Sequence, residues 1–327
     1  MAGNEVTMTE NSCDVLCIGI LVADIFVPPL KRFPASGELV LVDNLPLSTG
    51  GCAANTAIDL AKLGMKVSVV GKTGNDVFAD FIANELKSHG IDTSGIRSTT
   101  TLPTSRTVIL PIIGDDRRYI HAKGANAELK VTDVDLEQVA RSKALYVGGY
   151  LLVPSFKQEE LVELFKFARS RGVKTILDVA GVNPELGLEP VRQVLSYTDA
   201  FLPNNDEAFL LTGETDPLKQ AAAILECGTQ TAVITLGSNG AVALTRQECL
   251  RASAFKINFV DGSGGGDAFD AGFIIGMLEG WGLPRTIEFA SAIGASACTR
   301  LGTTAGVFTR PEAQTFLNHN QLEIKKV

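Results

Sequence analysis

Asp261-Gly-Ser-Gly-Gly-Gly-Asp267 runs directly into the apolar stretch Ala-Phe-Asp-Ala-Gly-Phe-Ile-Ile-Gly-Met-Leu of residues 268–278. Three consecutive glycines let the backbone approach a ligand closely, and the helix predicted after them points the positive end of its dipole at the same place. The stretch therefore predicts an anion site at a helix N-terminus. A carboxylate would repel a phosphate, so Asp267 needs another role, such as accepting a proton from an attacking hydroxyl.

The same residues also have a purely structural interpretation. A run of glycine and serine is typical of a flexible connector, and Asp267 would then be an N-cap for the next helix. However, an N-cap needs no glycines before it, and a connector rarely ends directly at a strongly apolar helix. The stretch favours the phosphate site.

Composition indicates a globular protein of enzyme size. The 327 residues are 45% hydrophobic and 20% charged, which is enough apolar material for a large core, and the net charge is −8. This charge argues against nucleic acid or a membrane surface as the main partner, and the longest apolar runs are too short to span a membrane.

Residues 1–12 have neither a basic start nor an apolar signal core, which predicts a cytoplasmic protein. The six cysteines have no metal-ligand spacing and are expected to be reduced, mostly buried thiols.

Short apolar runs alternate with turns and helical patterns along the chain. The runs are residues 15–23, 66–71, 144–149, 174–179, 200–203 and 231–236. This alternation predicts an α/β fold with a mainly parallel sheet covered by helices on both faces. The carboxyl ends of such strands form one ligand crevice, so the residues that follow them should converge. These residues are Asp24, Gly71, Gly148, Gly149, Asp178, Asn204, Thr235 and Gly237.

Two stretches interrupt the alternation. Residues 38–47 and 106–121 look like strands without intervening helices, the second folded on itself at Gly114-Asp115-Asp116. They predict a small β-sheet lid, formed by about residues 25–48 and 104–124, on a single domain spanning residues 1–327. Such a lid would exclude water from the crevice and would allow edge-to-edge pairing in a homodimer.

Two further helix starts carry polar residues. Ser48-Thr-Gly-Gly-Cys-Ala-Ala-Asn55 opens a helix that ends at Gly64, and periodicity alone places Asn55 on a solvated polar face with Asp59 and Lys62. The pair Gly50-Gly51 argues against a purely solvated role for Asn55, because two glycines before the helix indicate that another group lies close to the backbone there. Asn204 and Glu207 have the spacing of a capping box, and equally of an amide and a carboxylate that hold hydrated Mg²⁺ beside phosphates.

With these motifs in order, the chain resembles the ribokinase-like carbohydrate kinases, also called the phosphofructokinase B family, over roughly residues 14–310. The segment from Gly50-Gly51 to Asn55 is similar to the N-terminal signature of the family, and residues 261–269 are similar to its C-terminal signature. The resemblance implies a Rossmann-like α/β domain with a β-sheet lid. It also implies ATP- and Mg²⁺-dependent phosphorylation of a hydroxyl, which is the reaction of a phosphotransferase with an alcohol group as acceptor.

The resemblance further implies roles for individual residues. Asp267 would be the catalytic base, and the amides of Gly264, Gly265 and Gly266 would form the anion hole. The acceptor would contact Asp24, Gly50, Gly51 and Asn55; the nucleotide would contact Asn204, Thr235, Gly237 and Gly240; and Glu207 would bind Mg²⁺ through water. Asp261 and Ser263 match a monovalent cation site, which makes K⁺ a further candidate cofactor. Two signature positions differ, Gly262 replacing a Thr and Gly265 an Ala, and Ser291 stands where many relatives carry Asn near the nucleotide.

The class of acceptor is narrowed but not settled. Cys52-Ala53 follows the glycine pair where relatives that act on phosphorylated sugars would need cationic residues, so an unphosphorylated sugar-like acceptor is favoured. Arg118 in the lid would suit a carboxylate or phosphate, as in a sugar-acid or sugar-phosphate kinase, or would be a solvated charge. An adenosine-type nucleoside kinase would use aromatic stacking, for which Tyr119 and Phe26 are candidates.

Other classes of protein fit the motifs less well. A dinucleotide-dependent dehydrogenase would show Gly-x-Gly-x-x-Gly after the first strand, and a P-loop kinase would show Gly-x-x-x-x-Gly-Lys-Ser/Thr; the sequence has neither. A sugar or nucleotide sensor that kept the fold and lost turnover would have lost the base or the anion hole, and both motifs are present.

Overall fold

The computed structural model describes residues 13–113 and 118–327. The strands are β1 Cys13–Gly19, β2 Val22–Phe26, β3 Leu47–Gly50, β4 Val67–Thr73, β5 Asp92–Ser98, β6 Arg106–Leu110, β7 Arg118–Ala122, β8 Ser142–Gly148, β9 Lys174–Leu177, β10 Ala200–Phe201, β11 Thr231–Thr235, β12 Ala241–Thr245, β13 Cys249–Ala252 and β14 Ile324–Lys326. The helices are α1 Cys52–Lys62, α2 Val77–Ser88, α3 Leu136–Arg141, α4 Gln158–Ser170, α5 Glu189–Leu195, α6 Asn205–Thr212, α7 Pro217–Glu226, α8 Gly265–Leu278, α9 Leu283–Ala297 and α10 Arg310–His319.

A ten-stranded sheet organises the fold, in the order β14-β13-β12-β11-β10-β9-β8-β1-β4-β5. The seven strands from β5 to β11 in this order are parallel, and β12, β13 and β14 extend the sheet in antiparallel fashion. The six apolar runs of the sequence correspond to β1, β4, β8, β9, β10 and β11. The predicted mainly parallel sheet is therefore confirmed.

Helices cover both faces of this sheet, which is why its strands are apolar on both sides. Buried side chains of α1, α2, α8, α9 and α10 form the core on one face, and buried side chains of α3 to α7 form the core on the other. Within the described residues, no helix is long and apolar enough to cross a membrane.

A second sheet has four strands in the order β3-β2-β6-β7 and is the predicted β-sheet lid. Strands β2 and β6 are parallel, and the two outer pairs are antiparallel. The hairpin predicted over residues 106–121 is present as β6 and β7, whereas its turn at residues 114–116 lies outside the described residues.

The strand predicted over residues 38–47 is wrong. Residues 38–46 form no strand, and β3 begins only at Leu47. Leu39 and Leu41 are 82% and 85% exposed, so this apolar segment has neither a neighbouring strand nor a core to pack on. Its composition favours a strand, but a strand requires hydrogen-bonding partners that composition cannot guarantee.

The solvated face predicted for α1 is also wrong. Asn55 and Asp59 are 3% and 0% exposed, because α1 packs on the central sheet with one side and against α8 with the other. Periodicity identified the two faces of the helix correctly. It could not show that a second helix would cover the polar one.

Candidate functional site

The two helix starts singled out in the sequence meet at one crevice. Asn55 Nδ2 on α1 donates a hydrogen bond of 2.8 Å to Asp267 Oδ2 on α8, although the residues are 212 positions apart. In the next position of α1, the Thr56 hydroxyl donates to the backbone carbonyl of Asp267 at 3.4 Å. These two hydrogen bonds hold α1, the helix predicted to bind the acceptor, against Asp267, the predicted catalytic base.

The glycine run at the start of α8 is ordered into the helix. Gly264 is the N-cap with φ 75°, and Asp267 is the third residue of α8, so Asp267 is not the N-cap. A side chain at Gly264 would place its Cβ 2.0 Å from the Thr303 carbonyl oxygen. Gly266 is exposed, and a Cβ there would meet nothing within 4 Å. Because the first N–H groups of a helix have no partner within it, the space beside Gly266 suits an anion.

The glycine pair before α1 makes room for other protein atoms. Gly51, with φ 92°, would place a Cβ 2.4 Å from the Ile20 carbonyl oxygen, and Gly50 would place one 1.8 Å from Asp24 Oδ2. The room anticipated from the sequence is thus occupied largely by Asp24. This close approach brings the Asp24 carboxylate to the edge of the crevice.

Burial raises the pKa of several carboxyl groups here. It raises that of Asp24 to about 6, with a contribution from the charge of Asp267, and it raises that of Glu207 to about 7. The pKa of Asp267 is also raised by burial, although hydrogen bonds from Asn55 and Cys52 oppose the shift. A carboxylate whose pKa lies nearer to 7 is a stronger base, so it accepts a proton from a hydroxyl more readily at neutral pH.

Asp178 and Cys52 were not predicted as site residues. Asp178 follows β9, is 7% exposed and accepts a hydrogen bond of 3.1 Å from the Gly149 backbone N–H. The Cys52 Sγ and one carboxylate oxygen each of Asp178 and Asp267 lie within 4.8 Å of one another. The sequence did place Asp178 at the carboxyl end of a predicted strand, where ligands bind, and this position could have identified it as a site residue. No sequence pattern identified Cys52 in the same way.

Asp270 is a further buried acid that the sequence did not single out. It lies one turn after Asp267 on α8, is 2% exposed, and accepts a hydrogen bond of 2.9 Å from the Tyr146 hydroxyl. Burial, followed by the charges of Asp178 and Asp267, raises its pKa well above the ordinary value.

Asn204 and Glu207 form the predicted capping box. Asn204 Oδ1 accepts from the backbone N–H groups of Asp206 and Glu207 at 3.0 and 2.9 Å, and Glu207 Oε2 accepts from the Asn204 N–H at 2.9 Å. The structural interpretation of this spacing is confirmed. The charge of Glu207 also raises the pKa of Asp178, which places the start of α6 beside the same crevice.

The remaining nucleotide candidates lie at the β11–β12 turn and on α9. Asn204 is bridged to Thr235, and the turn closes with a hydrogen bond of 2.8 Å from the Leu236 N–H to the Gly240 carbonyl. Gly237 and Gly240 have φ values of 56° and 91°. Ser291 is partly buried in the middle of α9.

Asp261 and Ser263 interact with each other in the loop before α8. Asp261 is 6% exposed; its Oδ1 accepts from the Ser263 hydroxyl at 3.0 Å and from the Ser263 N–H at 3.2 Å, while its Oδ2 accepts from the Gly302 N–H at 3.3 Å. The carboxylate therefore ties the loop to residue 302 whether or not a cation binds.

Arg118 is not brought together with Asp24. Asp24 is paired with Thr107, and Thr107 with His121, so these three side chains share one face of the lid. Arg118 is three residues from His121, and because side chains alternate along a strand it lies on the opposite face. Its guanidinium carbon lies 5.2 Å from the centre of the Phe33 ring.

Known proteins resemble this chain over most of its length. The pfkB family carbohydrate kinase model matches residues 13–310. The ribokinase of Haemophilus influenzae is 29% identical over 309 residues, which cover 92% of this chain and 97% of that protein. The 5-dehydro-2-deoxygluconokinase of Clostridium perfringens is 30% identical over 261 residues, which cover 75% of this chain and 77% of that protein. The structure of Arabidopsis thaliana ribokinase complexed with ribose and ATP matches with a TM-score of 0.80 at 25% identity, covering 94% of this chain and 99% of that chain. The chain belongs to the pfkB family carbohydrate kinases and is a phosphotransferase with an alcohol group as acceptor.

Proposed function

We propose that the protein transfers the γ-phosphoryl group of ATP to a hydroxyl of an unphosphorylated sugar or sugar-like acceptor. The observation that carries the proposal is the hydrogen bond between Asn55 Nδ2 and Asp267 Oδ2, because it joins the acceptor-side helix to the helix that offers an anion site. A hydroxyl bound beside Asn55 would therefore lie next to a carboxylate and close to the open space at Gly266.

In this proposal Asp267 accepts the proton of the attacking hydroxyl. Its raised pKa favours that role, and the hydrogen bond from Asn55 Nδ2 holds one oxygen of the carboxylate in place. The N–H groups at Gly264, Gly265 and Gly266 would stabilise the charge on the phosphoryl group as it moves. Phosphoryl transfer depends mainly on such positioning and electrostatic stabilisation.

The residues present fit Mg²⁺ as the partner of ATP. Within the described part of the chain, no lysine or arginine forms an ion pair with the crevice carboxylates of Asp178, Glu207 and Asp267. Glu207 would hold the ion through water, and the bound ion would offset phosphate charge. Asn204, Thr235, Gly237, Gly240 and Ser291 would contact the nucleotide.

K⁺ remains a candidate cofactor at Asp261 and Ser263. Asp261 is a buried carboxylate that accepts hydrogen bonds from the Ser263 hydroxyl and N–H, and both residues lie directly before the glycine run. If K⁺ binds there, the turnover rate should rise when Na⁺ is replaced by K⁺ at constant ionic strength. Equal rates in both salts would exclude the site.

An unphosphorylated acceptor is supported by the charges around the pocket. Asp24 and Asn55 offer a carboxylate and an amide to hydroxyl groups, and Gly50-Gly51 is followed by Cys52 rather than a lysine. Buried acids would repel a second phosphate unless a cation lay beside them. The acceptors of the two kinase relatives, ribose and 5-dehydro-2-deoxygluconate by their names, are the first compounds to test.

The proposal is tested by ADP release with Mg·ATP and a panel of acceptors. The panel contains ribose, 2-deoxyribose, 5-dehydro-2-deoxygluconate, ribose 5-phosphate and adenosine. We expect turnover with an unphosphorylated sugar or sugar acid, and loss of that turnover in Asp267→Asn. Preference for ribose 5-phosphate or adenosine would replace the proposed acceptor class. Binding of a sugar without turnover of any acceptor would instead support a sensor.

We further propose that the lid mediates a homodimer. Residues 25–48 and 104–124 carry several exposed apolar side chains, among them Leu39, Leu41, Ile113 and Ile120. Apolar surface of this kind is typical of association sites. Light scattering should give the mass of two chains at micromolar concentration, and Leu41→Glu should shift the protein to monomer. A monomeric wild-type protein would exclude the dimer.

A further inference from the structure

Cys52 lies inside the crevice, yet the proposed phosphoryl transfer gives it no role. It is the first residue of α1, and a Cβ added at Gly149 would lie 3.3 Å from its Sγ, so it packs against the end of β8. Its Sγ, an oxygen of Asp178 and an oxygen of Asp267 all lie within 4.8 Å of one another. A thiol and two carboxylates from three separate elements thus converge on one point.

A fourth donor lies beside this cluster. Asn55 is three residues after Cys52 and therefore on the same face of α1. Its Nδ2 contacts Asp267, while its Oδ1 is buried and has no hydrogen-bond partner among the described residues. Asn55 as a whole is 3% exposed. A buried carbonyl oxygen without a partner is costly, which indicates that a ligand completes its interactions.

The charge of the cluster favours a cation. Burial, followed by the charges of Glu207 and Asp267, raises the pKa of Asp178, and burial with the charge of Asp267 raises that of Glu207. In the part of the chain that is described, none of these carboxylates forms an ion pair with a lysine or arginine. Mg²⁺ selects oxygen ligands, whereas a thiolate selects softer metals such as Zn²⁺. Zinc sites have three or four protein ligands, and both sulfur and oxygen donors occur among them.

We propose that Cys52, Asp178 and Asp267 form a binding site for Zn²⁺ or a similarly thiophilic divalent cation, with Asn55 Oδ1 as the fourth ligand. Tetrahedral ligands at zinc distances lie about 3.5 Å apart, so donors that lie within 4.8 Å of one another need to close by at most roughly 1.3 Å. Binding releases the thiol proton to solvent and changes no oxidation state. Because the ion occupies Asp267, it inhibits phosphoryl transfer; this consequence rests on the proposed function, whereas the binding itself does not.

Direct binding is the first test. Zn²⁺ is titrated into the Mg²⁺-free full-length protein by calorimetry, and Cd²⁺ is used to record the ultraviolet absorption of a metal-bound thiolate. We expect one ion per chain for the wild type, and at least a 10-fold loss of affinity together with loss of the absorption band for Cys52→Ser and Cys52→Ala. Cys249→Ala, which removes a partly exposed thiol from β13 at the far side of the sheet, is the matched control and should bind like the wild type.

Inhibition is the second test. Zn²⁺ is added to the ADP-release assay at saturating Mg·ATP, and each variant is compared with its own rate in the absence of zinc. The wild type should lose activity and recover it with EDTA, and Cys52→Ser should need at least 10-fold more Zn²⁺ for the same loss.

Two outcomes would overturn the site. One is wild-type affinity for Zn²⁺ in a folded Cys52→Ser protein, and the other is recovery of activity with a thiol reductant but not with EDTA, which would indicate oxidation. Calorimetry separates this proposal from the proposed function: absence of turnover with every acceptor would refute the kinase reaction, while the zinc titration would still decide the metal site.

Discussion

Two glycine-rich helix starts meet at the crevice, and their glycines are required for different reasons. Before α1, Gly50 and Gly51 leave space that Asp24 and the Ile20 carbonyl fill. At the start of α8, Gly264 lies against the Thr303 carbonyl, whereas Gly266 borders open space. A glycine run can therefore serve close packing of the protein or close approach of a ligand, and only the surrounding atoms distinguish the two.

The largest expected effect is that of Asp267→Asn at the α8 start. Removing a general base typically lowers turnover by 10²- to 10⁴-fold, and the amide should keep the contact with Asn55, so folding and ATP binding are expected to persist. Turnover is measured by ADP release and stability by thermal unfolding. Asp80→Asn, which changes an exposed acid in the first turn of α2, is the control and should retain wild-type turnover. Near wild-type turnover in Asp267→Asn would remove this residue from the mechanism.

The contrast between the two glycine runs is tested by Gly51→Ala and Gly266→Ala. Gly51→Ala combines a positive φ with a clash against a carbonyl oxygen, so the free energy of unfolding should fall by at least about 2 kcal/mol. Gly266→Ala should unfold at equal or higher denaturant concentration, because alanine is up to about 1 kcal/mol better than glycine in a helix. Its new methyl group should nevertheless lower turnover about 10²-fold by displacing the phosphoryl group.

Urea unfolding and ADP release measured on both proteins would show whether stability and activity separate in this way. If Gly266→Ala lost stability and Gly51→Ala did not, the assignment of ligand space and packing space would be reversed.

The buried acids predict how stability depends on pH. Folding raises the pKa of Asp24 from 3.8 to about 6 and that of Glu207 from 4.5 to about 7, so between these values the folded protein holds protons that the unfolded chain has released. The free energy of unfolding should therefore fall as pH rises from about 4 to about 7.5, and then level off. We expect a fall of about 1–3 kcal/mol, since water at the crevice screens the charges.

Urea unfolding of the Mg²⁺-free protein across this pH range measures the effect. Glu207→Gln should weaken the dependence, because glutamine does not titrate. Stability that increases over the same pH range would show that the crevice carboxylates do not carry raised pKa values.

The smallest effect is expected for Arg118→Ala in the lid. Arg118 lies on the lid face opposite Asp24, so we expect its loss to change the KM of an unphosphorylated, neutral acceptor by less than about 3-fold. Steady-state kinetics with the best acceptor of the panel provides the measurement. A KM increase of 10-fold or more would indicate that the lid presents Arg118 to an acidic acceptor and would revise the acceptor class.

Much of the fold was predictable because it depends on local patterns. Each of the six apolar runs became a strand, and Asn204 capped α6 as its spacing indicated. The segment at residues 38–46 was not predictable in the same way. Its leucines and valines favour a strand, but whether a strand forms depends on a partner elsewhere in the chain.

The candidate site likewise has features that local sequence patterns predict and features that depend on distant residues. The sequence by itself determined the family, the glycine runs and the acid at the end of the second run, since each is a short motif with its own local chemistry. Only the tertiary structure decided that Asn55 is buried against Asp267, that Gly50 leaves space for the Asp24 carboxylate, and that Cys52 lies beside Asp178. These pairs are brought together by helices packing across a sheet, and packing depends on residues far apart in the chain.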